Sequence, residues 1–261
     1  FPTRRSSDLI NFNIKREIKI TALLAVVFLL IAVSERKQGT VAVKDIVIKI
    51  ENIEGNQFVD ESDVADLMQL GEENLKGASL ENLNMKQLEK RIRMNRFVKD
   101  AQLYSDLKGN LVVKAELRRP IARLVRNDGP DGYIAEDGTV MPVSDKFTTR
   151  VVLISGSYIR GLLAIENLNK TKETKNLMTM LEMIREDDFW RAQIAQLDID
   201  SKGHITMLPQ IGGQVIEFGV ADNLETKFKK MKIFYKEILP QKGWNTYKRV
   251  NLEYEGQIIA E

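Results

Sequence analysis

The chain has 261 residues, 43% of them hydrophobic, and balances 39 Lys and Arg against 37 Asp and Glu for a net charge of +2. That much apolar content supports a packed core, and the near balance, with no basic stripe, argues against a nucleic-acid partner. With no Cys and a single His, a disulfide framework, a thiol nucleophile and a thiolate metal site are excluded, and a zinc or Ser-His-Asp centre would have to be built around His204 alone.

Residues 1–9, Phe1 to Leu9, read as a non-native, adapter-like segment, and 10–17 as the remnant of a cytoplasmic segment. Ile20 to Val33 then carries no charge. At about 1.5 Å per residue this run spans about 21 Å, against about 30 Å of hydrocarbon in a bilayer. Ile18 and Ser34 extend it, and Lys19 can snorkel to the headgroups. A transmembrane helix is therefore expected over 18–34, with Ile20, Leu24, Phe28 and Leu30 among its anchor residues. Lys15, Arg16 and Lys19 precede it, and Glu35, Arg36 and Lys37 follow it with a smaller positive excess. That asymmetry puts the N-terminus in the cytoplasm and the bulk of the chain outside it. A cleaved signal peptide ending near Ala32-Val33-Ser34 is the rival reading.

A linker is expected over 35–44. Ile46, Ile48 and Ile50 then alternate with Val47, Lys49 and Glu51, which is the pattern of a strand with one buried face. Gly55-Asn56 marks a turn. Asp60 can cap a helix carrying Val64, Leu67 and Met68, and Gly71 stops it. A second helix starts near Asn84 with Met85, Leu88 and Ile92 on one face. Val98 to Tyr104 reads as a strand, and Gly109-Asn110 turns it back into Leu111, Val113, Ala115 and Leu117.

This β-α-α-β-β order over 45–118 resembles a POTRA domain. The run Phe97 to Leu103, followed by Asn110 to Ala122, is similar to the FtsQ/DivIB cell-division family. In that family a basic residue, a proline and a small residue stand where the last POTRA strand leaves for the next domain, and Arg119, Pro120 and Ala122 fill those places here. Pro120 is expected to set the angle between the modules. Arg96 and Lys108 stand near two positions where the family commonly has proline.

From Ile121 the pattern turns to short strands, forming a second module over 119–256 with a tail at 257–261. Ile121 to Val125 is one strand, and Tyr133 to Pro142 is a hairpin turning at Asp137-Gly138. Val151 to Ile154 is a third strand, ending at Ser155-Gly156. A helix is expected over Thr174 to Asp187, with Leu177, Leu181 and Ile184 inward. Ile194 to Ile199, Ile205 to Leu208 and Val215 to Phe218 are strands joined by tight turns. Leu224, Phe228, Met231, Tyr235 and Ile238 form a helical stripe, begun by an Asp222/Glu225 capping box and ended by Pro240. Tyr247 to Tyr254 is the last strand.

Phe218-Gly219, the Leu224 to Met231 stripe and Val250 to Tyr254 resemble the FtsQ C-terminal domain, in which Asp and Arg usually occupy the places of Asn251 and Glu253. The whole is expected to be α+β: a transmembrane helix, a POTRA domain, then a mixed β-rich domain with two helices.

No catalytic, cofactor or metal site is legible. Asp198-Ile199-Asp200 and Gly212-Gly213 read as turn residues, and Trp190 and Trp244 as packing residues. The resemblance implies a non-enzymatic protein of the inner membrane, with its bulk in the periplasm at the division septum. Its partners would be other division proteins, FtsB/FtsL-like small coiled-coil membrane proteins, together with the bilayer held by one helix. Nucleic acid and small-molecule substrates are not expected. The docking strand is expected to use Tyr247, Arg249, Asn251, Leu252, Glu253 and Tyr254, offering backbone groups at a free sheet edge. Two other readings remain: a POTRA component of envelope protein assembly or secretion, and an envelope enzyme.

Overall fold

The computed structural model describes residues 14–39, 42–52, 56–69 and 75–261, and within the first helix the side chains of residues 18–31. The adapter-like residues 1–9, the connector residue Thr40, the turn at Gly55 and the helix stop at Gly71 lie outside the described residues. Helix α1 spans Ile14–Gly39. It continues through Glu35 to Gln38, expected as linker, because these residues are themselves good helix formers or neutral. Ile20, Leu24, Phe28 and Leu30 are all exposed. Among the described residues, no helix is long and apolar enough to cross a membrane.

The first module has the expected order: β1 (Ile46–Glu51), α2 (Glu61–Gln69), α3 (Met85–Arg93), β2 (Val98–Ser105) and β3 (Leu111–Leu117). Its helices start where side chains satisfy orphan backbone donors. The Asp60 carboxylate accepts the Asp63 N–H and Asp63 accepts the Asp60 N–H, both at 2.9 Å. Asn84 accepts the Gln87 N–H at 3.1 Å. The sheet order is β1-β3-β2, with β1 parallel and β2 antiparallel to β3. Leu111, Val113, Ala115 and Leu117 pack against Val64, Met68, Leu88 and Ile92 to form the core.

The second module is built on β4 (Pro120–Leu124), β5 (Gly132–Ala135), β6 (Val140–Pro142), β7 (Val152–Ser155), β8 (Ile194–Ile199), β9 (Ile205–Pro209), β10 (Val215–Gly219), β11 (Arg249–Asn251) and β12 (Ile259–Ala260). They form one sheet in the order β12-β11-β10-β9-β8-β7-β4-β5-β6. Helices α4 (Ile159–Leu163), α5 (Lys172–Glu186), α6 (Asp188–Gln193), α7 (Leu224–Ile233) and α8 (Leu239–Lys242) complete it. Register assigns the two faces of the sheet. Leu124, Ile154 and Leu197 stand in line and are buried with Leu177, Leu181 and Phe228 of the helices. The next line, Arg123, Leu153, Gln196 and Leu208, lies on the opposite face, which carries no helix layer among the described residues and is half-buried or exposed.

Four expectations need correction. Asp222 does not cap α7: Asn223 occupies the cap in a left-handed conformation with φ 44° and no side-chain cap bond, while Asp222 pairs with Lys227 at 2.5 Å. Pro240 does not end the helix. A π-turn over Phe234–Ile238 joins α7 to α8, with the Leu239 N–H reaching the Phe234 carbonyl five residues back. This widening just ahead of Pro240 accommodates a residue that has no N–H to donate, and the helix stops only at Gly243, φ 101°. The last strand covers 249–251 rather than 247–254, and residues 257–261 are not a free tail, because β12 pairs antiparallel with β11. The α+β class is as expected, and short helices accompany the two long ones: Asp187 ends α5 and caps the short α6 through the Phe189 and Trp190 N–H groups.

The two modules meet on the helix-free face at the β5–β6 end. Phe58, buried in the loop before α2, stacks on Phe97 at 4.9 Å. It also meets Tyr133 and Phe147 edge-on, each at 5.2 Å. Met141 and Ala135 close the cluster. Phe58→Ala is expected to cost about 3–5 kcal/mol and to split unfolding into two calorimetric transitions, one per module. A single transition at an unchanged midpoint would show that the ring cluster does not couple them.

Candidate docking surface

β11 lies second from the margin of the large sheet, parallel to β10 on one side and antiparallel to β12 on the other. Val250 and Leu252 are completely buried in the core. Leu252 therefore cannot contact a partner: its N–H is turned to the Glu217 carbonyl at 3.0 Å and its side chain inward. Tyr247 is half-buried, 5.9 Å from the Phe234 ring. Arg249, Glu253 and Tyr254 are exposed, and Asn251 is half-buried.

Glu217 on β10 organises this surface. Arg249 Nε approaches its carboxylate at 3.2 Å and Asn251 Nδ2 donates to it at 2.8 Å. An aspartate in place of Asn251 would set two carboxylates against each other, so the asparagine suits this neighbour. Asn251 Oδ1 in turn accepts the Glu253 N–H at 2.8 Å, turning the chain out of the strand. Beneath it, the nearly buried Lys230 donates to the carbonyls of Leu252 and Tyr254, the latter at 2.8 Å. Burial, with the Lys227 charge nearby, pushes the Lys230 ammonium below the ordinary lysine value, while the two carbonyls favour the charged form.

The junction residues sit apart from this margin. Arg119 reaches Asn52 Oδ1 at 2.6 Å and its carbonyl accepts the Glu136 N–H at 2.9 Å. Ala122 is fully buried in the core of the second module. Pro120 opens β4 opposite Ala135, where a bulge before Ala122 relieves the ladder of the N–H that proline lacks. Besides the Arg119–Asn52 bond, other residues supply polar links at the junction. Arg118 pairs with Asp137 at 2.9 Å and donates to the Arg96 carbonyl at 3.0 Å. Arg96 donates to the Val140 carbonyl at 3.1 Å, and Lys146 bridges Asp60 and Asp63 at 3.0 and 2.6 Å.

Burial opposes ionisation of Asp137, but hydrogen bonds from Thr139 and Arg118, together with the Arg118 charge, outweigh it and hold the carboxyl below its ordinary value.

Other margins are less available. α3 side chains occupy outward groups of β2: Glu89 accepts the Leu103 N–H at 2.9 Å and Arg93 donates to the Ala101 carbonyl at 2.9 Å. β6 is bridged by Thr139 to Asn167 and by the Val140 N–H to the Glu166 carbonyl. The outer edge of β1 carries no strand among the described residues. A groove of about 450 Å³ runs beside Pro120, Ile121 and Leu181. Two of the arginines at its mouth are engaged, Arg185 by Glu136 at 3.0 Å and Arg191 by Asp188 at 2.5 Å. Among the described residues, no group of three or more His, Asp or Glu side chains is arranged to hold a metal ion.

Residues 119–261 match the family described as FtsQ/DivIB, C-terminal related. The chain belongs to that family. Residues 42–116 match the POTRA-like domain, so both modules correspond to the expected pair, and the family is one of non-enzymatic cell-division proteins. No curated protein matches the chain. Four features escaped the sequence: Phe58 of the POTRA-like module as the interdomain anchor and, in the FtsQ/DivIB-related module, Glu217 as the organiser of the β11 surface, Lys230 as the clamp below it, and β12. Signals existed for two of them. Lys227 and Lys230 fall at helical spacing on the apolar stripe, and Ile258-Ile259-Ala260 is an apolar run just after Gly256.

Lys230→Met leaves the Leu252 and Tyr254 carbonyls without their donor and is expected to cost about 1–3 kcal/mol, with faster hydrogen exchange confined to residues 252–256. Unchanged exchange there would show that the lysine does not hold the turn. Asp137 has a folded-state pKa below its unfolded one, so its stabilisation is complete above about pH 4 and is lost as pH falls. The melting temperature of Asp137→Asn is expected to vary less than that of the parent between about pH 3 and 5; parallel curves would remove Asp137 from the acid response.

Proposed function

We propose that the chain is a bitopic inner-membrane protein of the division machinery that gathers other division proteins at the septum and catalyses nothing itself. Its N-terminus is cytoplasmic, α1 is the anchor and both modules stand in the periplasm. The run from Ile20 to Ile31 has no charge and its side chains are exposed, so this stretch presents no polar face to water, which supports an anchoring role. Family membership supports the assignment to division.

The observation that carries the docking reading is the β11 margin, where Arg249, Asn251 and Glu253 stand beside Glu217 and Tyr254 is exposed. Arg249 turns its N–H and carbonyl away from β10, toward Glu261, and by strand alternation Asn251 does the same. Backbone pairing on that side would supply affinity for a strand of an FtsB/FtsL-like small coiled-coil membrane protein, and the side chains would supply selectivity.

Photo-crosslinking in dividing cells tests this. A photoreactive residue in place of Arg249 or Tyr254 is expected to capture a small membrane division protein. One in place of Leu107, fully exposed at the tip of the β2–β3 hairpin, is not. Capture from Lys49 on β1, exposed beside the open edge, with none from 249 or 254, would move the docking site to the POTRA sheet.

A further inference from the structure

The outer edge of β11 already holds a strand, and that strand is the chain's own. Ala260 stands opposite Val250 and Ile259 opposite Asn251. The N–H groups of Lys248 and Arg249 both reach the Glu261 carbonyl, at 2.6 and 3.1 Å, and the Glu261 N–H returns to the Arg249 carbonyl at 3.0 Å. We infer that residues 255–261 are a resident, displaceable occupant of this edge, which a partner strand must release before it can pair there. The inference rests on the docking reading above and adds to it what the partner strand must look like and what it must displace.

Three features support displacement. The occupant is short, with two ladder positions at Ala260 and Ile259 and the Glu261–Arg249 exchange beside them, and Ile259 points its side chain outward. The receptor does not depend on it: Val250 and Leu252 are buried against the core, and the parallel pairing with β10 holds β11 from the other side. The chain also has a fixed point followed by a pivot. Lys230 clamps the carbonyls of Leu252 and Tyr254, and beyond them residues 254–257 are exposed and reverse at Gly256, φ 67°. Residues 255–261 can therefore leave while 252–254 stay in place.

The resident strand also states the recognition rule. The residue opposite Val250 is small and partly packed against the core, as Ala260 is. The residue opposite Asn251 is β-branched and lies on the open face. The next position, beside Arg249, is acidic. A partner strand is expected to carry the same order, β-branched, small, acidic. Because β12 is tethered through a few residues, its effective concentration is on the order of millimolar, and an intact chain resists a weak strand in trans.

The probe is a fluorescent synthetic peptide of residues 255–261, Glu-Gly-Gln-Ile-Ile-Ala-Glu, titrated against the detergent-solubilised full chain and against a variant ending at Tyr254. The shortened chain is expected to bind at least tenfold more tightly than the full chain, and to reject a peptide with Ala260→Trp. Equal binding by both chains, or no binding by a folded shortened chain, would overturn the inference. If the shortened chain does not fold, hydrogen exchange on the intact chain decides. Exchange of the Glu261 and Arg249 amides well before those of β10 supports displacement, and exchange only with global unfolding overturns it. If the peptide result holds but crosslinking at Arg249 and Tyr254 captures nothing, the edge is a strand receptor and it is the division-partner reading that falls.

Discussion

Phe58 is held between two modules that are otherwise built independently. Each has its own core, one around Val64, Ile92 and Val113, the other around Leu124, Leu181 and Phe228. The single ring of Phe58, stacked on Phe97 and edge-on to Tyr133 and Phe147, joins them. Buried ring clusters combine large apolar area with geometric preference, so they fix orientation as well as contribute affinity. The polar links arranged around the rings, Arg118 with Asp137 and Lys146 with Asp60 and Asp63, then act in a setting that is already aligned. Such exposed or half-buried pairs contribute little by themselves.

That docking uses part of a face that would otherwise be open. Among the described residues, the helices that pack on the large sheet share one side, which leaves the other side to what approaches it. The POTRA-like module takes the β5–β6 end. The β9–β12 end keeps a mixed surface of Thr206, Glu217, Asn251 and Ile259 in one line across four strands. A sheet with a single helical layer therefore supplies two docking regions, one used inside the chain and one at its margin.

The margin is supported from below by an unusual helix. The π-turn over Phe234–Ile238 rotates the second half of the 224–242 segment, so that Phe234 and Leu239 enter the core along with Met231 and Tyr235. The first half keeps Lys227 and Lys230 inside, each on main-chain carbonyls: Lys227 on Val220, Lys230 on Leu252 and Tyr254. Buried ammonium groups are tolerated only when acceptors surround them. Here those acceptors are carbonyls just beyond the C-terminal ends of the parallel strands β10 and β11, so the helix registers the two strands through the same two residues.

Local rules were enough for much of this. Alternation at Ile46, Ile48 and Ile50 and at Leu111 to Leu117, caps at Asp60 and Asn84, and the turn at Asp137-Gly138 each reflect interactions within a few residues, and these carried the β-α-α-β-β order, the hairpins and the family resemblance at Arg119-Pro120. The strand ending at Asn251, the helix running through Pro240 and the failed cap at Asp222 are places where a local preference met a tertiary demand. What the sequence could not contain was the identity of neighbours. That Phe58 in a loop finds Tyr133, that Leu252 goes inward while Asn251 meets Glu217, and that Ile259 and Ala260 cover the edge of β11 all depend on contacts between residues distant in the chain or on which edge remains uncovered once the sheet is assembled. Periodicity tells which face of a strand is apolar. Only the assembled sheet decides which strand lies beside it.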